Sequence, residues 1–151
     1  MNGEDLDATA APQVIVRSGQ DPAVRVLLHD RQFIDQDLTA FAIDLRAGGL
    51  AAHHRDVIVA VSDPEGPSDF ADGLAADFRG WSGSRSWAAD HLKLTASFHS
   101  GGHVELRWTL RPWASRQDSW EATVTTWLEG GQQMTALAAD IRSFLTRPQP
   151  V

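Results

Sequence analysis

Apolar residues recur at every second position in seven stretches of the chain and at helical spacing in two more. In the first half, Val14 and Val16, then Val24, Val26 and Leu28, then Phe41, Ile43 and Leu45, then Val57, Val59 and Val61 form short alternating, β-branched runs. Turn-forming residues separate them at 18–22, 30–37 and Gly48-Gly49, so this half predicts four strands. The proline- and glycine-bearing segment 62–67 cannot belong to a regular element, and Ser68 or Asp69 follows as an N-cap. Phe70, Leu74 and Phe78 then recur at i, i+4 and i+8 beside Ala71 and Ala75, and Gly80 is placed to stop the helix, which predicts one at about 68–79. Gly73 inside it costs up to about 1 kcal/mol relative to alanine.

Alternation is clearest in the second half. Leu92, Leu94, Ala96 and Phe98 form one set, Val104, Leu106, Trp108 and Leu110 a second, and Trp120, Ala122, Val124, Thr126 and Leu128 a third, which predicts three antiparallel strands with one buried face. Directly opposed residues of an antiparallel pair share a face, so the first two sets must oppose each other. All their members are even-numbered, so the turn between them has an odd number of residues, and Ser100-Gly101-Gly102 supplies three with glycine at the left-handed position. His99 then opposes His103 on the outer face, followed by Ser97 with Glu105 and Thr95 with Arg107. If Leu110 pairs with Trp120, Trp127 falls on that same outer face, opposite His103.

Met134, Leu137, Ala138, Ile141, Phe144 and Leu145 return to helical spacing between Gly130-Gly131 and Pro148, predicting a helix at about 132–146. The order of elements indicates an α+β fold: a largely antiparallel sheet of about seven strands built from hairpins, with both helices on one face. Residues 1–12, small and acidic, read as a mobile tail ahead of a single domain at 13–147.

Composition narrows the function more than the fold. With 151 residues, 42 % apolar and 22 % charged, the chain is sized for one globular domain with a real core. Its start carries neither the basic nor the apolar region of a secretory signal, and no apolar run approaches the ~18 residues of a spanning helix, so a soluble cytoplasmic protein without membrane attachment is expected. The absence of cysteine excludes disulfides, thiolate metal sites and a cysteine nucleophile. A net charge of −7, with Lys93 the single lysine beside twelve arginines, disfavours nucleic acid and suits a basic protein partner.

Candidate chemistry is sparse. His99, His103 and Glu105 offer ligand types for zinc, but a third strong ligand is missing at the hairpin tip, so they read as part of a polar outer face. His53 and His54 are adjacent on a strand and point to opposite faces. The stretch 80–84, GWSGS, lacks the serine spacing of a nucleophile elbow and follows a helix rather than a strand. No phosphate- or dinucleotide-binding motif occurs, and no catalytic residue, cofactor or metal is assigned. What remains is a contact patch of His99, His103, Glu105 and Trp127, since aromatic residues are enriched at binding hot spots.

The order Trp81-x-Gly83-x-x-x-Trp87, the alternating strand from Leu92, Gly102-His103-Val104 with Leu106 and Trp108, the strand opened by Trp120, and the terminal helix with Leu137, Ala138, Ile141 and Phe144 resembles a bacterial family known only as domain of unknown function 6228. More distantly it is similar to the WapI-type immunity proteins. The resemblance is strongest from about Phe70 to Leu145. It implies a small non-enzymatic protein which, in the immunity branch, binds and silences a toxin in the producing cell. It brings no catalytic residues. The expected function is therefore toxin binding by occlusion, with an accessory binding domain using the same outer sheet face as the alternative.

Overall fold

The computed structural model describes residues 11–61, 66–113 and 119–147. Most of the expected tail, the turn residues 62–65 and Pro148 lie outside these. The described chain is α+β, with strands β1 (Val14–Arg17), β2 (Arg25–Phe33), β3 (Leu38–Ala47) and β4 (Leu50–Ala60), helix α1 (Pro67–Ala76), strands β5 (Ser84–Ala88), β6 (Leu92–His99), β7 (His103–Leu110) and β8 (Ala122–Glu129), and helix α2 (Gln132–Leu145). The strands divide into two four-stranded antiparallel sheets, β1-β2-β3-β4 and β5-β6-β7-β8.

Strand β5 is the one the hydrophobic pattern misses. Its core-side positions are Arg85 and Trp87, paired with Ala96 and Leu94, so only one apolar residue marks the alternation. Arg85 lies there by laying its guanidinium over the Trp81 ring, 4.7 Å from the centroid, and pairing with Asp77 at 2.7 Å. The stem covers apolar surface while the charge finds a partner.

One continuous core takes in the inward faces of both sheets and the buried stripes of both helices. The sheets join where β1 ends: the Gly19 N–H donates to the Trp127 carbonyl at 2.9 Å, and the Trp127 N–H donates to Ser18 Oγ at 3.1 Å. The last turn of α2 is tied to the first sheet, as Thr39 Oγ1 donates to the Leu145 carbonyl at 2.9 Å and Arg31 Nη1 to the Phe144 carbonyl at 2.8 Å. Carbonyls at a helix end lack intrahelical donors, so these bonds stabilise the terminus as well as the contact. At the other end, the Glu129 N–H donates to Gln133 Oε1 and the Gln133 N–H to Glu129 Oε1, at 2.7 and 3.2 Å, a reciprocal cap without a serine or threonine. Arg142 of α2 bonds Asp69 and Asp72 of α1, holding the packed helix pair together on its exposed side.

Several local expectations are corrected. Helix α1 is capped by Gly66 with Pro67 in its first turn, so Ser68 and Asp69 are helical rather than caps. Proline's fixed φ and missing donor suit that position. The helix ends at Ala76, about three residues early, with the Asp77 N–H donating to the Gly73 carbonyl. Phe78 thus lies beyond the last turn and is 53 % exposed rather than part of the core stripe. Trp120 precedes β8 and is 47 % exposed, not the opening core residue of that strand. Strand β2 runs on past Asp30 to Phe33, because a bulge between His29 and Gln32 absorbs what reads in the sequence as a turn. A second bulge between Phe41 and Ile43 shifts β4, so that the phase of burial along it changes before Val57. No helix among the described residues is long and apolar enough to cross a membrane.

The seam between the sheets also carries a titratable pair. His54 of β4 stacks on His91, with ring centroids 4.0 Å apart, and Trp113 meets the other histidine edge-on at 4.8 Å. The Asp56 N–H donates to His54 Nδ1, and burial, reinforced by His91, lowers the His54 pKa below the ordinary histidine value. Below about pH 6.5 the unfolded chain takes up this proton more readily than the folded one. The contribution of His54 is therefore complete above that pH and is lost as pH falls through the depressed folded value. The thermal midpoint is expected to drop between pH 7.5 and pH 5 by more in the native protein than in His54→Gln; parallel pH profiles would show that the seam does not respond to protons.

Candidate functional site

The outer face of the second sheet is set by the β6–β7 hairpin. Its tip is the expected three-residue loop, with Gly101 and Gly102 at φ values of 92° and 83°, and His99 pairs with His103. The next row is Ser97, Glu105 and Trp127, and the one after it Thr95, Arg107 and Thr125. Trp127 thus opposes Glu105, not His103, which instead faces Glu129. The correction is two residues of β7–β8 register, Leu110 pairing with Ala122 in place of Trp120. A shift of two leaves every side chain on its predicted face, so periodicity alone cannot detect it.

Three of the four predicted patch residues converge. The His99 ring lies tilted against Trp127 with centroids 5.0 Å apart, and its Nε2 is 2.7 Å from Glu105 Oε1. Arg107 Nε donates to the other Glu105 oxygen at 2.8 Å. That bond, joined by His99, holds the Glu105 carboxyl below its ordinary pKa against the opposing effect of partial burial. The carboxylate therefore stays ionised as pH falls, orienting a guanidinium and an imidazole beside an indole. His103 remains on the exposed loop edge and joins none of these bonds. Arg107, one row further along the same face, is a patch member that the candidate set left out.

The first sheet holds a second cluster that periodicity gives no reason to suspect. The two-residue turn Gly48-Gly49 sets Asp44 directly opposite His53, and His29 lies diagonally across on β2. His29 Nε2 is 3.1 Å from Asp44 Oδ2, and His53 Nδ1 makes a short contact with Asp44 Oδ1. Among the described residues this is the one group of three metal-ligating side chains whose donor atoms all lie within 4.8 Å of one another. Beside it opens a cleft of about 410 Å³, lined by Asp30, Gln32, Ala42, His53, Arg55 and Asp56 among others. One row further along, Arg17, Arg25 and Arg46 pair across three strands, a cationic stripe on an otherwise acidic chain. The pairing Asp44–His53 was readable from the glycine turn; the place of His29 was not, because it depends on the bulge after it.

A family model described as a family of unknown function, DUF6228, matches residues 17–148. The chain belongs to this family. No curated protein and no solved structure matches it. Both clusters lie wholly within the DUF6228 match, which runs from the last residue of β1 through all of α2.

Proposed function

We propose that this DUF6228 protein is a non-catalytic binding protein of the immunity type, which neutralises a protein toxin inside the cell that makes both by covering the toxin's working surface. The observation that carries this reading is the outer face of the second sheet, where the Trp127 indole, the His99 imidazole and the Glu105–Arg107 ion pair form one preordered cluster. Tryptophan and arginine are enriched at interface hot spots, and side chains already held in place lose little freedom on docking. The net charge of −7 favours a basic partner by steering and complementarity. The resemblance to immunity proteins supplies the class of that partner.

If a gene for a large protein with a toxic C-terminal domain lies beside this one, co-expression with that domain is expected to rescue growth, and the purified pair to form a complex. Trp127→Ala is expected to weaken that complex by roughly 30-fold or more, as a hot-spot residue worth about 2 kcal/mol would. Failure of the native protein to rescue would remove the immunity reading, and full affinity in Trp127→Ala would move the contact to another face.

A further inference from the structure

We propose that His29, Asp44 and His53 form a binding site for a divalent transition metal ion of the zinc class, with Asp30 as the residue that orients it. Two imidazole nitrogens and one carboxylate are the donor set of borderline-soft ions; calcium and magnesium prefer all-oxygen sites. The three donors come from adjacent strands of one sheet, so the backbone beneath them is fixed by cross-strand pairing rather than by a loop. Their atoms lie within 4.8 Å of one another. Ligands at about 2.1 Å from a tetrahedral ion stand about 3.4 Å apart. Small side-chain rotations therefore suffice to close the set around an ion. His53, with 49 % of its side chain exposed, is free to make them, whereas His29 and Asp44 are more enclosed at 23 % and 18 %.

The second observation is independent of the cluster itself. Asp30 is the one non-glycine residue among those described with a positive φ, 52°, and it occupies the bulge directly after His29. This conformation is disfavoured for residues with a side chain, and Asp tolerates it better than most. Its effect is to bring Oδ2 to 3.3 Å from His29 Nδ1. A carboxylate beside Nδ1 favours the proton on that nitrogen once Nε2 binds an ion, and His29 Nε2 is the nitrogen that faces Asp44. Carboxylate, histidine and ligand position thus follow one another in the order that second-shell orientation of a metal-bound histidine requires. Without an ion, Asp44 is the acceptor for both imidazoles; with one, the protons on His29 Nε2 and His53 Nδ1 are released to solvent, and these nitrogens and an Asp44 oxygen turn to the ion.

Three protein ligands leave at least one coordination position for water or a small anion. The adjacent stripe of Arg17, Arg25 and Arg46 weakens cation binding and favours an anionic occupant of that position. A second cleft of about 160 Å³, which those arginines line together with Asp44, Ile15 and Leu27, gives it room.

The test is titration of the full-length, chelator-treated protein with zinc chloride by isothermal calorimetry, together with elemental analysis after dialysis. One zinc per chain is expected, with a raised thermal midpoint, and cobalt substituted for zinc should give the visible absorption of a low-coordinate nitrogen and oxygen site. His53→Ala, which alters an exposed side chain and keeps the fold, should abolish stoichiometric uptake. Asp30→Asn, which removes no ligand, should weaken binding by about 10-fold to 100-fold. Absence of stoichiometric zinc in the native protein, or the same affinity in His53→Ala, would overturn the proposal; native-like affinity in Asp30→Asn would overturn the orienting role.

Discussion

Trp108→Ala is expected to lower stability by about 3 to 5 kcal/mol, which for a domain of this size moves the thermal midpoint by roughly 10 °C. Among the described residues Trp108 is the largest fully buried side chain, 1 % exposed at the centre of the second sheet's inner face. Its ring joins the core that both sheets and both helices share, so its removal opens a cavity that no single element can collapse into. The indole also satisfies a polar chain: Nε1 donates to Thr126 Oγ1 at 2.9 Å, and the Thr126 hydroxyl donates to the Leu106 carbonyl at 3.3 Å. Thr126→Val keeps the shape of the side chain and removes the acceptor, leaving a buried N–H unpaired at a cost of about 1 to 3 kcal/mol. Urea denaturation of both variants should thus rank Trp108→Ala below Thr126→Val and both below the native protein, at similar slopes. A native midpoint in Thr126→Val would mean that the bond contributes nothing net.

The same pair shows what the sequence discloses and what it withholds. Thr126 falls on the apolar parity of β8, where a hydroxyl looks out of place until Trp108 is seen to need an acceptor. Parity assigns faces: it places Phe98, Val104, Leu106 and Trp108 inward, fixes the histidine pair at the hairpin tip, and puts Trp127 outward. It assigns register only where the turn is short. The three-residue loop after His99 pins β6 to β7, whereas the longer segment between Leu110 and Ala122 allows pairings that differ by two, and the structure takes the one that sets Trp127 against Glu105.

Bulges hide more than long loops do. Asp30 reads as the start of a turn because aspartate is common in turns, yet it lies within a continuing strand, where its φ of 52° forms the bulge. From that one residue follow the length of β2, the seat of Arg31 against the end of α2, and the meeting of His29 with Asp44. The division of eight strands into two sheets is likewise invisible to a period of two, which says which face is buried but not against what. The placement of His99, Glu105 and Trp127 on one outer face was therefore legible, as was the pairing of Asp44 with His53, whereas the approach of His29 to Asp44, 15 positions on, was not, because it depends on the bulge.

Gly80→Ala is expected to destabilise the protein by about 2 to 5 kcal/mol, combining a backbone penalty of about 1 to 2 kcal/mol with overpacking of about 1 to 3 kcal/mol. Gly80 has φ of 115°, and a Cβ there would stand 2.8 and 2.9 Å from two carbons of the Phe98 ring. The ring cannot swing away freely. It packs on Trp81 with centroids 5.4 Å apart, and on its other side Gly130 approaches it so closely that a Cβ there would meet it at 3.2 Å. Phe98 is thus held between two glycines, one closing the turn after α1 and one preceding α2, which makes this contact the clasp between the helical layer and the β6–β7 hairpin. Gly73→Ala provides the opposite case: it is helical, its Cβ would meet nothing within 4 Å, and its φ is ordinary, so it should raise stability by up to about 1 kcal/mol. Opposite shifts of the urea midpoint in these two glycine-to-alanine variants are the expected result. An unchanged midpoint in Gly80→Ala would mean that neither its backbone conformation nor the space against Phe98 constrains that position.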